Sequence, residues 1–174
     1  MLSKERTSLG FVEFISIMAL MIALTALSID AMLPALTEIG RDLKVSNTND
    51  TQLVISVIFL GTAVGQLACG PLSDSYGRKP LVFAGITIFI IGSLLCIFAS
   101  EFSWMLWGRL LQGVGLGAPR VISTAIIRDL YQGREMARVM SYVMTIFILV
   151  PVLAPAIGQL ILFVASWRMI FTML

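Results

Sequence analysis

Asp30, Arg109 and Arg120 are ionisable residues set inside long apolar stretches of this chain. A charge at mid-bilayer costs about 2.5–3.5 kcal/mol on insertion scales, so such side chains are expected to face a partner or a wet cavity. Two kinds of work suit this set. Asp30 could carry a proton, provided that desolvation and a nearby cation set its proton affinity differently in two states. It could equally form a structural salt bridge with Arg109. Arg120 follows Arg109 by eleven residues, about three helical turns, which places both on one helix face. Gln112, Gly113, Ser123 and Thr124 fall on or near that stripe, and a polar stripe along a membrane helix is what a water-filled path requires. Two roles fit Arg120: a cavity residue, or an anchor that snorkels toward headgroups. Glu13 reads as an interfacial residue at the start of its stretch.

Other chemistries are excluded. The chain has no histidine, which removes imidazole catalysis, zinc ligation through histidine and a histidine proton relay. Cys69 and Cys96 both fall in apolar runs and read as small core side chains rather than a disulfide. No nucleophile triad, phosphate-cradling glycine loop or Cys-His metal spacing is present. The chain therefore reads as no enzyme and no ATP-driven pump, with no metal or cofactor. A net charge of +2 is too small for a nucleic-acid surface.

The elements that position these residues follow from hydropathy. The chain is 58% apolar and 13% charged, against roughly 45–50% and 25% in ordinary soluble domains. Crossing the hydrocarbon takes about 20 mostly apolar residues. Five stretches meet that length, at about 14–36, 52–72, 81–99, 103–127 and 140–164, and a sixth begins near 167 and reaches only 174. Such helices satisfy their own backbone hydrogen bonds, which lipid cannot do. The expected fold is an all-α polytopic membrane bundle in a single unit, since no linker separates the runs. The first stretch is long, carries Asp30 and Pro34, and is followed by further spans, so it is not read as a cleaved signal peptide. With the N-terminus in the cytoplasm, the inside segments hold Lys4, Arg6, Arg78, Lys79, Arg128, Arg134 and Arg138, and the outside ones only Arg41, Lys44 and Arg168. Positive charge favours the inside, so this orientation is expected. Asp30 then lies roughly 24 Å above the cytoplasmic face and Arg109 roughly 9 Å below the outer one, in nearly the same layer.

The hairpin GPLSDSYGRKP, residues 70–80, joins the second and third spans. Gly70 and Pro71 are expected to end the second span, and Gly77 to supply a positive φ for the reversal. Arg78 and Lys79 anchor the turn. Asp74 weakens that positive signal, which makes sense if it pairs with a cation or caps a helix N-terminus. Gly61, Gly65 and Gly70, and Gly113 with Gly117, form small-xxx-small rows for close helix contact. Pro151 and Pro155 each remove a backbone hydrogen bond, and with Gly158 they are expected to bend the fifth span. Trp104, Trp107 and Trp167 fall at span ends, as aromatic-belt residues do.

Gly70-Pro71-Leu72-Ser73-Asp74-Ser75-Tyr76-Gly77-Arg78-Lys79 resembles the signature between helices two and three of the major facilitator superfamily, with Ser75 where that family commonly has a basic residue. Arg109-Leu-Leu-Gln112-Gly113-Val-Gly115-Leu-Gly117-Ala118 resembles its fourth-helix motif, and Arg128-Asp129 the charged pair that closes that helix. Pro151-Val-Leu-Ala-Pro155-Ala-Ile-Gly158-Gln159 resembles the fifth-helix motif of its drug–proton antiporters, with Ala154 and Gln159 at positions where glycine is usual. With Ser28-Ile-Asp30-Ala-Met-Leu33-Pro34-Ala-Leu36, the chain looks like the N-terminal half of a bicyclomycin-resistance (Bcr/CflA) type exporter. The resemblance implies a proton-coupled efflux transporter of the inner membrane, moving a small amphipathic solute by alternating access. It also implies that Asp74, Arg78, Arg128 and Asp129 form a cytoplasmic gate and charge relay, that Asp74 latches onto a second six-helix half missing from this chain, and that Arg109 takes part in proton coupling. The expected partners are a small-molecule substrate, protons, the bilayer and that missing half. A non-transporting fragment or membrane subunit, and a sugar or metabolite carrier of the same superfamily, are the alternatives.

Overall fold

The computed structural model describes residues 10–174, so Lys4 and Arg6 of the orientation argument lie outside the described residues. Helix α1 spans Phe11–Asp30; a short 3-10 turn (Leu33–Ala35) leads into α2, Leu36–Asp42. A second 3-10 turn (Thr48–Gln52) leads into α3, Leu53–Tyr76, followed by α4 (Arg78–Ile97), α5 (Phe102–Leu130), α6 (Gly133–Val164) and α7 (Arg168–Met173). Among the described residues five helical segments are long and apolar enough to cross a membrane, and there are no strands. The first runs Phe11–Asp42, further than the 14–36 stretch, because the chain resumes helical structure after the break at Pro34.

Helix α5 is the centre of the bundle. It packs along α3 on one side and α4 on the other and also touches α1, while α1 lies against α6. Glycine makes both main contacts possible. A Cβ on Gly113 would strike the Ile58 carbonyl, and one on Gly117 the backbone of Gly65, so α5 and α3 touch main chain to main chain. The α4 contact uses a row seven residues apart that the small-xxx-small pattern does not single out. A Cβ on Gly115 would lie 2.5 Å from the Gly85 carbonyl, and one on Gly92 would lie 2.6 Å from the Gln112 nitrogen. Where backbones approach this closely, dispersion and helix–helix fit replace the hydrophobic drive that lipid does not supply.

Three expectations are corrected here. Gly70 and Pro71 do not end the second span: α3 continues through them to Tyr76, and nothing lies within 4 Å of a Cβ placed on Gly70, so it is not part of the packing row. The chain instead reverses at Gly77 alone, with φ 85° and ψ 164°, a region open essentially to glycine. Trp167 is no belt residue. It is fully buried, donates its indole N–H to Asp42 Oδ2 at 2.9 Å and meets Phe171 edge to face. Trp104 and Trp107 are exposed. Pro151 and Pro155 sit in an unbroken α6, and Gly158 presses that helix onto the Ala31 carbonyl at the α1 break, where a Cβ would collide. Gly158 thus serves close contact with α1.

Candidate functional site

Four elements leave a cavity of about 440 Å³ between them. Helix α1 contributes Thr25, Ala26, Ile29 and Asp30, α3 contributes Phe59, Thr62, Ala63 and Gln66, α5 contributes Arg120, and α6 contributes Phe147 and Pro151. Asp30 and Arg120 are its ionisable lining residues, both half-buried, and they form no ion pair with each other. The Arg120 guanidinium lies over the Phe147 ring, 5.9 Å from its centroid. Thr25 is 3% exposed and its hydroxyl has no hydrogen-bond partner. Opposite charges attract more strongly where protein excludes part of the surrounding water, yet these two stay unpaired.

Arg109 is not in this cavity, and neither are Gln112 and Gly113. Arg109 is 1% exposed; its Nη1 donates to the Ser28 carbonyl and to Gln112 Oε1, each at 3.1 Å. Gln112 passes the chain on, donating to Ser93 Oγ at 2.7 Å, and Phe171 of α7 covers the guanidinium with its ring centroid 4.7 Å away. Among the described residues no carboxylate pairs with Arg109, and its Nε has no partner. A buried charge is tolerated when hydrogen bonds and a π face replace water. The layer reckoning is sound, since Arg109 reaches Ser28, two residues from Asp30. The face is what differs. Two residues along a helix lie about 200° apart around its axis, so Asp30 sits on the cavity side while Ser28, whose carbonyl meets Arg109, sits on the α5 side.

The hairpin residues separate in the same way. Arg78 at the start of α4 pairs with Asp129 near the end of α5. Arg128 does not join them; it lines a groove with Gln66, Arg120 and Thr124 that shares Gln66 and Arg120 with the cavity. Asp74 and Lys79 are exposed and have no partner among the described residues. Asp74 sits in the last turn of α3, where a carboxylate opposes the helix dipole, so it neither caps a helix N-terminus nor stabilises its own helix.

Sequence reasoning missed Gln66, Thr25, Phe59 and Phe147. Gln66 alone carried a signal, as an amide inside an apolar span; the two rings are indistinguishable by type from lipid-facing ones. It also missed the fastening at the opposite end of the bundle from Gly77. There Arg168 donates to the carbonyls of Ile97 and Ala99, both at 3.1 Å, and pairs with Asp42 at 3.5 Å. Arg168 thus joins α7 to the ends of α4 and α2 and is more than a loop charge.

Comparison with known proteins bears on this arrangement. Residues 18–174 match the sequence pattern of the Major Facilitator Superfamily. Multidrug resistance protein MdtL of Citrobacter koseri is 41% identical over 143 residues, 82% of this chain and 36% of that protein, and the protein of the same name in Salmonella typhimurium is also 41% identical over 143 residues. The uncharacterized MFS-type transporter YdgK of Bacillus subtilis is 35% identical over 173 residues, 98% of this chain and 42% of that protein. The chain thus spans about two fifths of the length of these relatives.

Proposed function

Because the chain belongs to the major facilitator superfamily, we propose that it supplies the cavity-bearing N-terminal half of a proton-coupled exporter of small amphipathic solutes. In this reading the transporting unit pairs it with a second helical half and alternates the access of the cavity between the two membrane faces. The observation that carries the proposal is Asp30, a carboxylate without a partner on the wall of a cavity that also holds Arg120, the Gln66 amide, two threonines and several apolar and aromatic groups. Such a carboxylate can exchange a proton and a substrate in turn, which is what antiport requires. The MdtL relatives, named as multidrug resistance proteins, support the efflux direction. The Ser28–Leu36 segment supports the bicyclomycin-resistance subgroup. The excess of Lys and Arg at the Gly77 end supports a cytoplasmic hairpin in the inner membrane.

Arg109 enters this scheme indirectly, by holding the Ser28 carbonyl and so the α1 segment from which Asp30 projects. Arg78 and Asp129 fasten α4 to α5, leaving Asp74 free to engage the second half in one state of the cycle. Inside-out vesicles carrying the transporting protein test the core of the proposal. Adding a substrate dye should discharge an imposed pH gradient, and Asp30→Asn should abolish that discharge while the protein still inserts. Discharge that persists at the parent rate in Asp30→Asn would remove Asp30, and with it this mechanism.

A further inference from the structure

We propose that the cavity takes an aromatic zwitterion, with its cationic group on Asp30, its anionic group on Arg120 and its ring system against Phe59 and Phe147. This deepens the transporter reading and rests on the same cavity. The residues demand both charges. Asp30 and Arg120 line one space and do not pair, so each keeps an unmatched charge facing it. Leaving a half-buried charge without a partner is costly. A ligand of single charge would match one end and leave the other facing an uncharged or like-charged group, whereas a ligand carrying both satisfies the two ends together.

Three further features agree. Arg120 is braced by the Phe147 ring rather than neutralised by a carboxylate, which keeps its donors available. The Gln66 amide adds a hydrogen-bonding group among the cavity-lining residues, and Thr25, also lining it, keeps a buried hydroxyl without a partner. The adjoining groove carries Arg128, Thr124, Gln66 and Arg120 with no carboxylate, so an anionic group entering along it meets only attractive charge before reaching Arg120. The cationic group and a proton then compete for Asp30, which couples the two without further parts. Charge at each end also sets specificity, since a wrong-sign group is rejected as well as the right one attracted.

Equilibrium dialysis of the purified protein in lipid nanodiscs provides the test, with two probe series. One is 2-naphthylalanine, its carboxamide (cation only) and its N-acetyl derivative (anion only); the other is 6-(aminomethyl)-2-naphthoate with the same two derivatives, its charges at opposite ends of the ring. In at least one series the zwitterion should bind about tenfold more tightly than both derivatives, the difference one well-made charged contact supplies. Arg120→Gln should make the zwitterion no better than the cation, and Asp30→Asn no better than the anion. The wild-type ranking stands alone if a variant does not fold. Equal binding of the cation or the anion, or no binding of either zwitterion, would overturn the assignment. Loss of proton-coupled export with zwitterion preference intact would sink the transport reading and leave this one standing; export with preference for a lipophilic cation would do the reverse.

Discussion

Arg109 and Arg120 lie on one stripe of one helix, about 16 Å apart along its axis, yet they live in different surroundings. Around Arg109 the bundle is closed. Gly92 and Gly108 draw α4 against α5, which brings Ser93 within reach of Gln112, and Phe171 of α7 covers what is left. Around Arg120 the helices part, and α1, α3 and α6 stand back to leave the 440 Å³ cavity. The same residue type is therefore an enclosed structural donor at one level and a half-exposed, cavity-lining cation at the other. A polar stripe on a membrane helix marks where polar groups are needed; it does not say which of them water reaches.

That contrast can be broken most forcefully at Gly115. Its Cβ would lie 2.5 Å from both the Gly85 carbonyl and the Phe89 nitrogen, which are backbone atoms and cannot rotate away. Gly115→Leu should therefore cost more than about 3 kcal/mol by overpacking and yield no monodisperse protein on size-exclusion chromatography in detergent. A well-folded Gly115→Leu protein would mean the closed side is far looser than described.

Next in size is the pair of arginines itself. Arg109→Ala leaves a void and strands the Gln112 and Ser28 acceptors, a loss of about 3 kcal/mol. Arg120→Ala removes a half-exposed side chain held by one ring and should cost less than about 1 kcal/mol. Thermal unfolding followed by circular dichroism in detergent distinguishes them, and equal losses would erase the difference between the two levels. The smallest effect belongs to Gly70. It sits inside α3 with open space around it, so Gly70→Ala should stabilise the helix by up to about 1 kcal/mol through propensity alone. A loss there would show that Gly70 packs against something after all.

Legibility followed the range of the forces involved. Helix α5 was readable as a long apolar segment with a polar stripe, and the contact of Gly113 and Gly117 with α3 was readable from their spacing, because both are properties of one helix. The reversal at Gly77 was readable because glycine takes a positive φ most readily, and the pair φ 85°, ψ 164° is open essentially to it alone. The end of α3 was misread because Gly70-Pro71 resembles a terminator, whereas α3 carries a proline internally on an open face. Trp167 was misread because position near a span end is shared by belt and core tryptophans; the carboxylate of Asp42, far away in sequence, decides which it is. Gln66 and Phe147 reach the cavity only because α3 and α6 turn those faces inward.

Length, hydropathy and charge placement are written into the chain residue by residue, and they alone determined that it forms long apolar helices around a few retained charges, with family membership legible in its motifs. Which charge is enclosed and which lines a cavity was decided by tertiary structure. Exposure depends on how closely neighbouring helices approach, and that distance is set by backbone contacts at glycines many residues away from the charges they enclose.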